Sequence, residues 1–576
     1  MIFPSLNIAA SALQAQQSAI DVVAHNIANA NTPGYSRQVA DIGTLSPEKI
    51  GGMSFGRGVQ IQNVQRIIDP IINDALTNNS SQQSYWDSLN KGLNAVENVF
   101  GSLSSTGLAA SLDEFFLAWQ QMSNNPQDGG QKFNVAAKTN TVINNISTMS
   151  TQLSNAQNSA DNQISDSLTQ ANLLLDKVAS LNAQITRQEN IQQGVVGAAN
   201  DLRDQRDTAL RDLAQIIPIQ VVNSHENGTL VQSTNGDLLV QDNTARHLAR
   251  GTVGANAYAP IVIQETGAPL SGTLNSGSIG GLVELRDNKL GSYLNQINSI
   301  ASNMIFAVNQ IHANGSNGAA MTSITSQEIV NAGLALNDPL QVAPFASQIQ
   351  TGSFKVHTYD AAGLPTPAGG TLINITAGVT TMNDVATSIS AIPGVTASIG
   401  GNGQLTIAAA AGSSFALSDD TSNVLAAYEI NNFFHGSTAG TMEISANIQA
   451  SANNINTGQV VSATSAILVG DSTTAVSILA LQDQAITFDG TVSSSLHDRT
   501  TLISSTYGTD VNISSQQLQY RTSEAVSLNS QRESISGVNI DDELVTMIKF
   551  QRAYEASAKI ITTSNQMLDS LLGLIR

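Results

Sequence analysis

Two helical seams at opposite ends of the chain constrain its fold more than any other feature. Between Ser5 and Ala30 the apolar residues Leu6, Leu13, Ile20 and Ile27 recur at heptad spacing, with Ala9, Val23 and Ala30 in the partner slots. Near the other end Met547, Tyr554, Ile561, Leu568 and Ile575 keep the same spacing, with Leu544, Ala558 and Leu572 between them. A narrow apolar stripe of this period is the signature of a coiled-coil helix. Matching seams so far apart predict that the two ends meet as a helical pair, with everything between them inserted into that stalk.

The first helix is predicted to begin at the N-cap Ser5 and to stop at Pro33-Gly34, because proline biases Thr32 away from helix and glycine tolerates a positive φ. Its only formal charge is Asp21, with His25 nearby, and Gln16 occupies a seam slot. A helix this polar yet uncharged buries little surface alone, so it is expected to be unformed in the isolated protein. Residues 35–68 read as extended chain, where Val59 and Ile61 alternate with Gln60 and Gln62 in a hairpin pattern. Asp69-Pro70 supplies a cap and a first-turn proline for a helix reaching the nineties.

Helical periodicity continues over 108–122 and 134–190. Asp201, Arg203, Asp204, Arg206, Asp207, Arg211 and Asp212 form the densest charge cluster. Arg203–Asp207 and Asp207–Arg211 fall at i,i+4, so the expectation is a solvated helix face laced by ion pairs. Short strands are predicted from Ile216 to about Ala268, a helix from Gly281 to about Ala313, and a second β-rich block over 345–445 containing one helix at 382–391. From about 450 the chain is predicted to be helical again. These textures define segments 1–34, 35–215, 216–280, 281–318, 319–450, 451–535 and 536–576. The expected fold is multidomain α+β: a terminal coiled-coil stalk and a long helical bundle with inserted β-rich outer domains.

At 576 residues the chain is too long for one core, and 41% hydrophobic content suffices for several. A formal charge of -20 argues against nucleic acid or an anionic membrane surface as partner. Cysteine is absent, which removes disulfides, thiolate metal sites and cysteine nucleophiles together. No run approaches the roughly 18 apolar residues that span a bilayer, so membrane insertion is not expected. The amino terminus lacks a basic region followed by a continuous apolar one, so no cleaved secretory signal is predicted.

Nothing in the chain signals catalysis. The histidines at 25, 225, 247, 312, 357, 435 and 497 are scattered, without H-E-x-x-H or any other close ligand pair. No nucleophile elbow, P-loop or dinucleotide fingerprint follows a predicted strand. Gly400-Gly401-Asn402-Gly403 reads as a turn, and Asp541-Asp542-Glu543 as first-turn acids favoured by the helix macrodipole. Phe115, Phe116 and Trp119 stand at helical spacing and are expected in a core. No cofactor, metal or catalytic residue is predicted.

Several longer stretches resemble the bacterial flagellar rod, hook and junction axial proteins. Ala28–Gln38, which carries Asn31, Thr32, Pro33, Gly34, Tyr35, Ser36, Arg37 and Gln38, resembles their amino-terminal signature. Its Gly-Tyr-Ser-Arg-Gln ending is similar to the hook-associated protein 1 branch rather than to hook or rod subunits. Gly56–Asp69, Leu112–Pro126, Ala199–Asp207, Gly280–Asp287 and Gly470–Asp483 extend the similarity. So does Gln531–Thr563, with Ser536, Gly537, Val538 and Asn539. Residues 320–450 are much less diagnostic.

The resemblance implies a structural protein that forms the short zone between hook and filament. It implies terminal helices packed as a coaxial coiled coil, copies of the chain in a helical ring, hook subunits on one side, and the second junction protein or the filament on the other. It further implies export through the flagellum's own type III apparatus without a cleaved signal, with an export chaperone, to an extracellular position. A hook or distal-rod subunit is the alternative within the class. A secreted adhesin working through its β-rich domains, and an enzyme that cuts peptidoglycan, are the alternatives outside it.

Overall fold

The computed structural model describes residues 2–50, 53–101, 107–191, 198–223, 229–253, 258–270, 274–488 and 492–574. In chain order the helices are α1 Ile2–Ala28, α2 Pro70–Ala95, α3 Glu97–Gly101, α4 Leu108–Asn124, α5 Gly129–Ile191, α6 Asn200–Ile216 and α7 Gly277–Val283. They continue as α8 Gly291–His312, α9 Met382–Ser390, α10 Val424–Ala427, α11 Ala446–Ala450, α12 Thr473–Leu479, α13 Leu496–Ser536 and α14 Ile540–Leu574. The fold is multidomain α+β, with long terminal helices and small antiparallel sheets. Two compact units share the chain: one takes Met1–Leu93, Ser159–Arg286 and Val511–Arg576, the other Asn94–Asn158 and Asp287–Asp510.

In the first unit α1 packs along α14. The chain then forms a hairpin within a hairpin: β1 (Gln38–Thr44) pairs with β4 (Val59–Arg66), and β2 (Glu48–Ile50) pairs with β3 (Met53–Phe55). Asp69 caps α2 as its sequence predicts, its Oδ1 accepting from the amides of Ile71 at 2.9 Å and Ile72 at 3.3 Å beside the first-turn Pro70. Leu168, Leu175, Val178 and Ile185 of α5 are buried, as are Leu210 and Leu213 of α6. Strands 219–223, 229–233, 238–241 and 244–245 form a four-stranded antiparallel meander. A Cβ on Gly281 would lie 2.3 Å from the Tyr85 carbonyl, so α7 can approach α2 only as glycine. The predicted helix from Gly281 thus begins earlier, at Gly277, and passes through a π-helical stretch, Glu284–Leu290, before α8.

The second unit is built round an aromatic core. Phe115, Phe116 and Trp119 of α4 are buried at helical spacing, and the Trp119 ring lies tilted 5.3 Å from Phe433, which is itself 4.9 Å from Phe434. Strand 405–409 lies between 323–325 and 395–399, and strand 352–359 between 371–375 and 414–418. A capping box of Thr381 and Asp384 opens α9. The expectation of helix from about 450 fails over 451–488 and 492–495. There the chain makes strands 458–461, 466–467, 486–488 and 492–494 round the short α12. Glycines punctuate this stretch, with Gly470 at φ +88, and the β-branched pair Val460-Val461 extends against its neighbours. Continuous helix resumes only at Leu496.

Candidate functional site

The end of α1 meets the start of α14 at Asn26, which is buried to 1% exposure. Its Oδ1 accepts from the Tyr35 hydroxyl at 2.8 Å and from the Gln38 amide at 3.0 Å. Its Nδ2 donates to the Gln38 carbonyl at 2.8 Å and to Glu543 Oε2 at 3.1 Å. Every hydrogen-bonding position of the amide is therefore used. Since α14 starts beside the end of α1 and packs along it, the two helices run antiparallel. Glu543 is buried, so a favourable dipole does not by itself account for the acids that open α14. One of them closes a tertiary bond.

The segment after α1 is tied on its other side to α6. Gln38 donates from Nε2 to Asp201 at 2.8 Å and accepts from Asn200 at 3.3 Å, while the Ser36 amide donates to Asp204 Oδ2 at 3.0 Å. Gly34 has φ +85, and a Cβ there would lie 2.6 Å from Thr208 Oγ1, so its glycine is required twice over. Arg532 of α13 donates to the Tyr35 carbonyl at 3.1 Å, and the Arg37 amide donates to the Ser536 carbonyl at 2.9 Å. Asn31, Thr32 and Pro33 form the exposed turn, which Thr32 fastens through its hydroxyl to Asn29 at 3.2 Å. At the far end Gly537 passes 2.3 Å (built Cβ to oxygen) from the Glu533 carbonyl, Val538 is half-buried, and Asn539 accepts from the Asp541 amide at 3.1 Å.

The charge cluster of α6 is not the solvated face its spacing suggests. Arg66, from β4, reaches Asp204 at 2.7 Å and Asp207 at 2.9 Å, with Arg66 and Asp204 only 9% and 8% exposed. Arg203 pairs with Glu189, and Arg206 donates to Asn182 at 3.0 Å. Side chains spaced for pairing along one helix instead pair outward with three other segments. Burial pushes the Asp204 carboxyl above its ordinary range, a pull that Arg66 and the Ser36 amide offset only in part. Burial also lowers Arg206 and Arg211.

Beyond Asn26 and Glu543, the buried residues of the helix pair are small. They are Ala9, Ala15, Ala19 and Val23 on α1, and Ser557 and Ser564 on α14. Leu6, Leu13, Ile20, Ile27, Met547, Ile561 and Leu568 are half-buried beside them. Tyr554 points outward at 37% exposure, and Ile575 lies outside the described residues. The small side chains are thus the buried ones, and the larger heptad residues are half-buried. Sequence reasoning missed Asn26, Arg66 and Asp204 as the residues that fasten this region.

The comparisons with known proteins fall on the same segments. Residues 93–323 match the model of the flagellar hook-associated protein FlgK helical domain. Residues 6–35 match that of flagella basal body rod proteins, and 529–574 that of the C-terminal region of basal body rod FlgEFG proteins. Flagellar hook-associated protein 1 of Salmonella typhimurium is 26% identical over 99% of both chains, and that of Escherichia coli is 25% identical over the same shares. Along its whole length the chain is similar to flagellar hook-associated protein 1. The solved structure of the flagellar hook junction protein FlgK from Burkholderia pseudomallei has the same fold, at TM-score 0.51 and 18% identity, over 80% of this chain and all of that one. In keeping with these relatives the chain is a structural component of the bacterial flagellum. The two rod-type matches cover α1 and α14, and the Asn26 contacts join them. Among the described residues no helix is long and apolar enough to cross a membrane.

Proposed function

We propose that the chain forms the junction between hook and filament and acts by self-assembly through its paired terminal helices. One observation carries this reading. With one side of α14 set against α1, Leu544, Val545, Ile548, Ile560 and Met567 remain 44–56% exposed along the same helix. An apolar stripe of that kind is covered when neighbouring copies pack, at about 25 cal/mol per Å² of apolar area removed from water. In this reading the seam residues Leu6, Leu13, Ile20, Ile27, Met547, Tyr554, Ile561, Leu568 and Ile575 serve contacts within and between copies, and the turn from Asn31 to Gln38 sets the angle at which the stalk leaves the rest. Hook subunits would lie on one side and the second junction protein or the filament on the other. The chain would reach this extracellular place through the flagellar export channel with a chaperone. The names of its relatives, hook-associated and hook junction protein, support the position.

The test is the double variant Ile20→Asp with Ile561→Asp, expressed in cells lacking the wild-type chain. The expected result is a soluble protein with its second unit folded, no filaments, and flagellin released to the medium. Normal filaments overturn the reading. The rod-type matches at both termini favour one other position, a hook or distal-rod subunit. Antibody labelling of intact flagella separates them: a single band at the hook–filament boundary supports the junction, and label spread along the hook or rod supports the alternative.

A further inference from the structure

We propose that Glu328, Glu429 and His435 of the second unit form a binding site for one divalent transition-metal ion of the Zn²⁺ type, which clips two loops together. One carboxylate oxygen from each glutamate and one imidazole nitrogen lie within 4.8 Å of one another. A bound ion with ligand bonds of about 2.0–2.2 Å holds such atoms roughly 3–4 Å apart, so it would enter by opening the 2.5 Å contact between Glu429 and His435. Two carboxylates with one imidazole suit a borderline ion such as Zn²⁺. Ca²⁺ and Mg²⁺ prefer all-oxygen shells with more ligands, and soft Cu⁺ prefers sulfur.

The surrounding bonds hold the donors in place. The Glu429 side chain is fully buried, on a backbone held at φ 52. Its Oε1 accepts from the Gly436 amide at 3.0 Å, and its Oε2 lies 3.4 Å from Asn432 Nδ2 and 2.5 Å from His435 Nδ1. The Glu328 loop is tied to the same segment: the Gln327 amide donates to the Glu429 carbonyl at 3.4 Å, and Asn432 donates to Gln327 Oε1 at 3.0 Å. Gln404 donates to the Gln327 carbonyl at 3.1 Å, and Ser326 to the Glu328 carbonyl at 3.0 Å. Such outer bonds orient metal ligands and raise affinity.

Charge supplies a separate argument. Among the described residues neither glutamate has a lysine or arginine within ion-pair distance, and Glu443, across the strand pair from His435, adds a further negative group. Two carboxylates, one of them fully buried, thus share a single imidazole, and a buried charge without compensation is costly. A dication balances both carboxylates. On binding, the proton held between His435 Nδ1 and Glu429 Oε2 passes to solvent and the ion takes its place, with no change of oxidation state.

The test uses the full chain, stripped with chelator and titrated with Zn²⁺ by calorimetry, with thermal unfolding followed in Zn²⁺, Mn²⁺, Ca²⁺ or Mg²⁺. Expected are one saturable Zn²⁺ per chain, proton release, and a raised unfolding temperature that Ca²⁺ and Mg²⁺ do not reproduce. Glu328→Gln and His435→Gln, both at partly exposed positions, should keep the circular dichroism of the parent. Each should lose more affinity than the roughly 10–100-fold that an outer-shell substitution costs. His247→Gln, in the other unit between Asp176 and Glu265, should bind as the parent does. No saturable binding, binding that survives both site substitutions, or loss of binding in His247→Gln overturns the proposal.

Discussion

Asn26 and Glu543 stand 517 positions apart in sequence and share a hydrogen bond of 3.1 Å. The bond fixes where α14 begins against the end of α1, and through Gln38 and Tyr35 it fixes how the chain leaves the stalk. The segment after α1 and the one before α14 are thus two halves of one polar joint, with α6 as its floor.

Replacing Asn26 by leucine should leave the Gln38 amide and carbonyl, the Tyr35 hydroxyl and one oxygen of Glu543 without their partner. Each buried polar group so orphaned costs about 1–3 kcal/mol. Chemical unfolding followed by circular dichroism should show a loss of several kcal/mol, and amide exchange should show lost protection at Gln38. An unchanged exchange rate at Gln38 would show that water replaces the amide without cost.

Removing Arg66 strands two carboxylates, one buried. Arg66→Met should cost about 3–5 kcal/mol, the usual penalty for breaking a buried pair from one side. Adding Asp204→Asn to it should recover part of that loss. A double-mutant cycle in urea measures the coupling, and strictly additive effects would contradict the pairing.

At Gly34 the cost has two parts that can be separated. Gly34→Ala pays for a left-handed residue, about 1–2 kcal/mol, and for the clash with Thr208 Oγ1. Combining it with Thr208→Ala should relieve the clash alone, so the melting temperature of the double variant should lie between those of Gly34→Ala and the parent. Equal melting temperatures for the single and double variants would remove the clash from the account.

The contribution of the buried His312 to the second unit should be lost in mild acid. His312 is fully buried, its Nε2 accepting from the Asn456 amide at 2.9 Å while Nδ1 faces the Asn431 carbonyl at 2.9 Å, a pairing that assigns the proton to Nδ1. Burial chiefly, with Lys132 nearby, pushes its pKa down to about 4. The unfolded chain takes up this proton below pH 6.5, whereas the folded one refuses it until about 4. The stability that His312 contributes is therefore complete above that window and falls as pH drops through it, by on the order of 3 kcal/mol. Burial raises the Glu328, Asp420 and Glu429 carboxyls of the same unit, and these act in the opposite direction. Trp119 fluorescence in a Trp86→Phe background, read in urea at pH 7 and pH 5, should therefore show the loss as a difference between the parent and His312→Gln.

Local signals were legible before the fold was known. Asp69-Pro70 opens α2, the helix expected at 382–391 stands as α9, and Trp119 sits in a core, because each depends on neighbours within a turn or two. What stayed hidden depends on distance along the chain. Asn26 looks like Asn29 in sequence, and only the fold gives it Glu543. The acids of α6 carry spacing suited to pairs on one helix, yet Arg66 arrives from a strand to take two of them. The α14 seam was read from its larger residues, and the burial of Ser557 and Ser564 beside them had no signal in the apolar pattern. Over 451–495 short apolar runs carried no period long enough to separate strand from helix.

The first unit gathers its parts from the beginning, middle and end of the polypeptide, and this imposes an order in time. Bringing residue 543 back to residue 26 closes a loop whose entropy cost grows only as its logarithm, about 5–6 kcal/mol for a flexible chain of that length. The expense is bearable, but it falls due last: α1 is synthesised first and waits for α14. A drawstring works in the same way, gathered only when its far end is pulled. A premature stop anywhere before α14 therefore deprives the opening helix of its partner, although every residue of that helix has already been made.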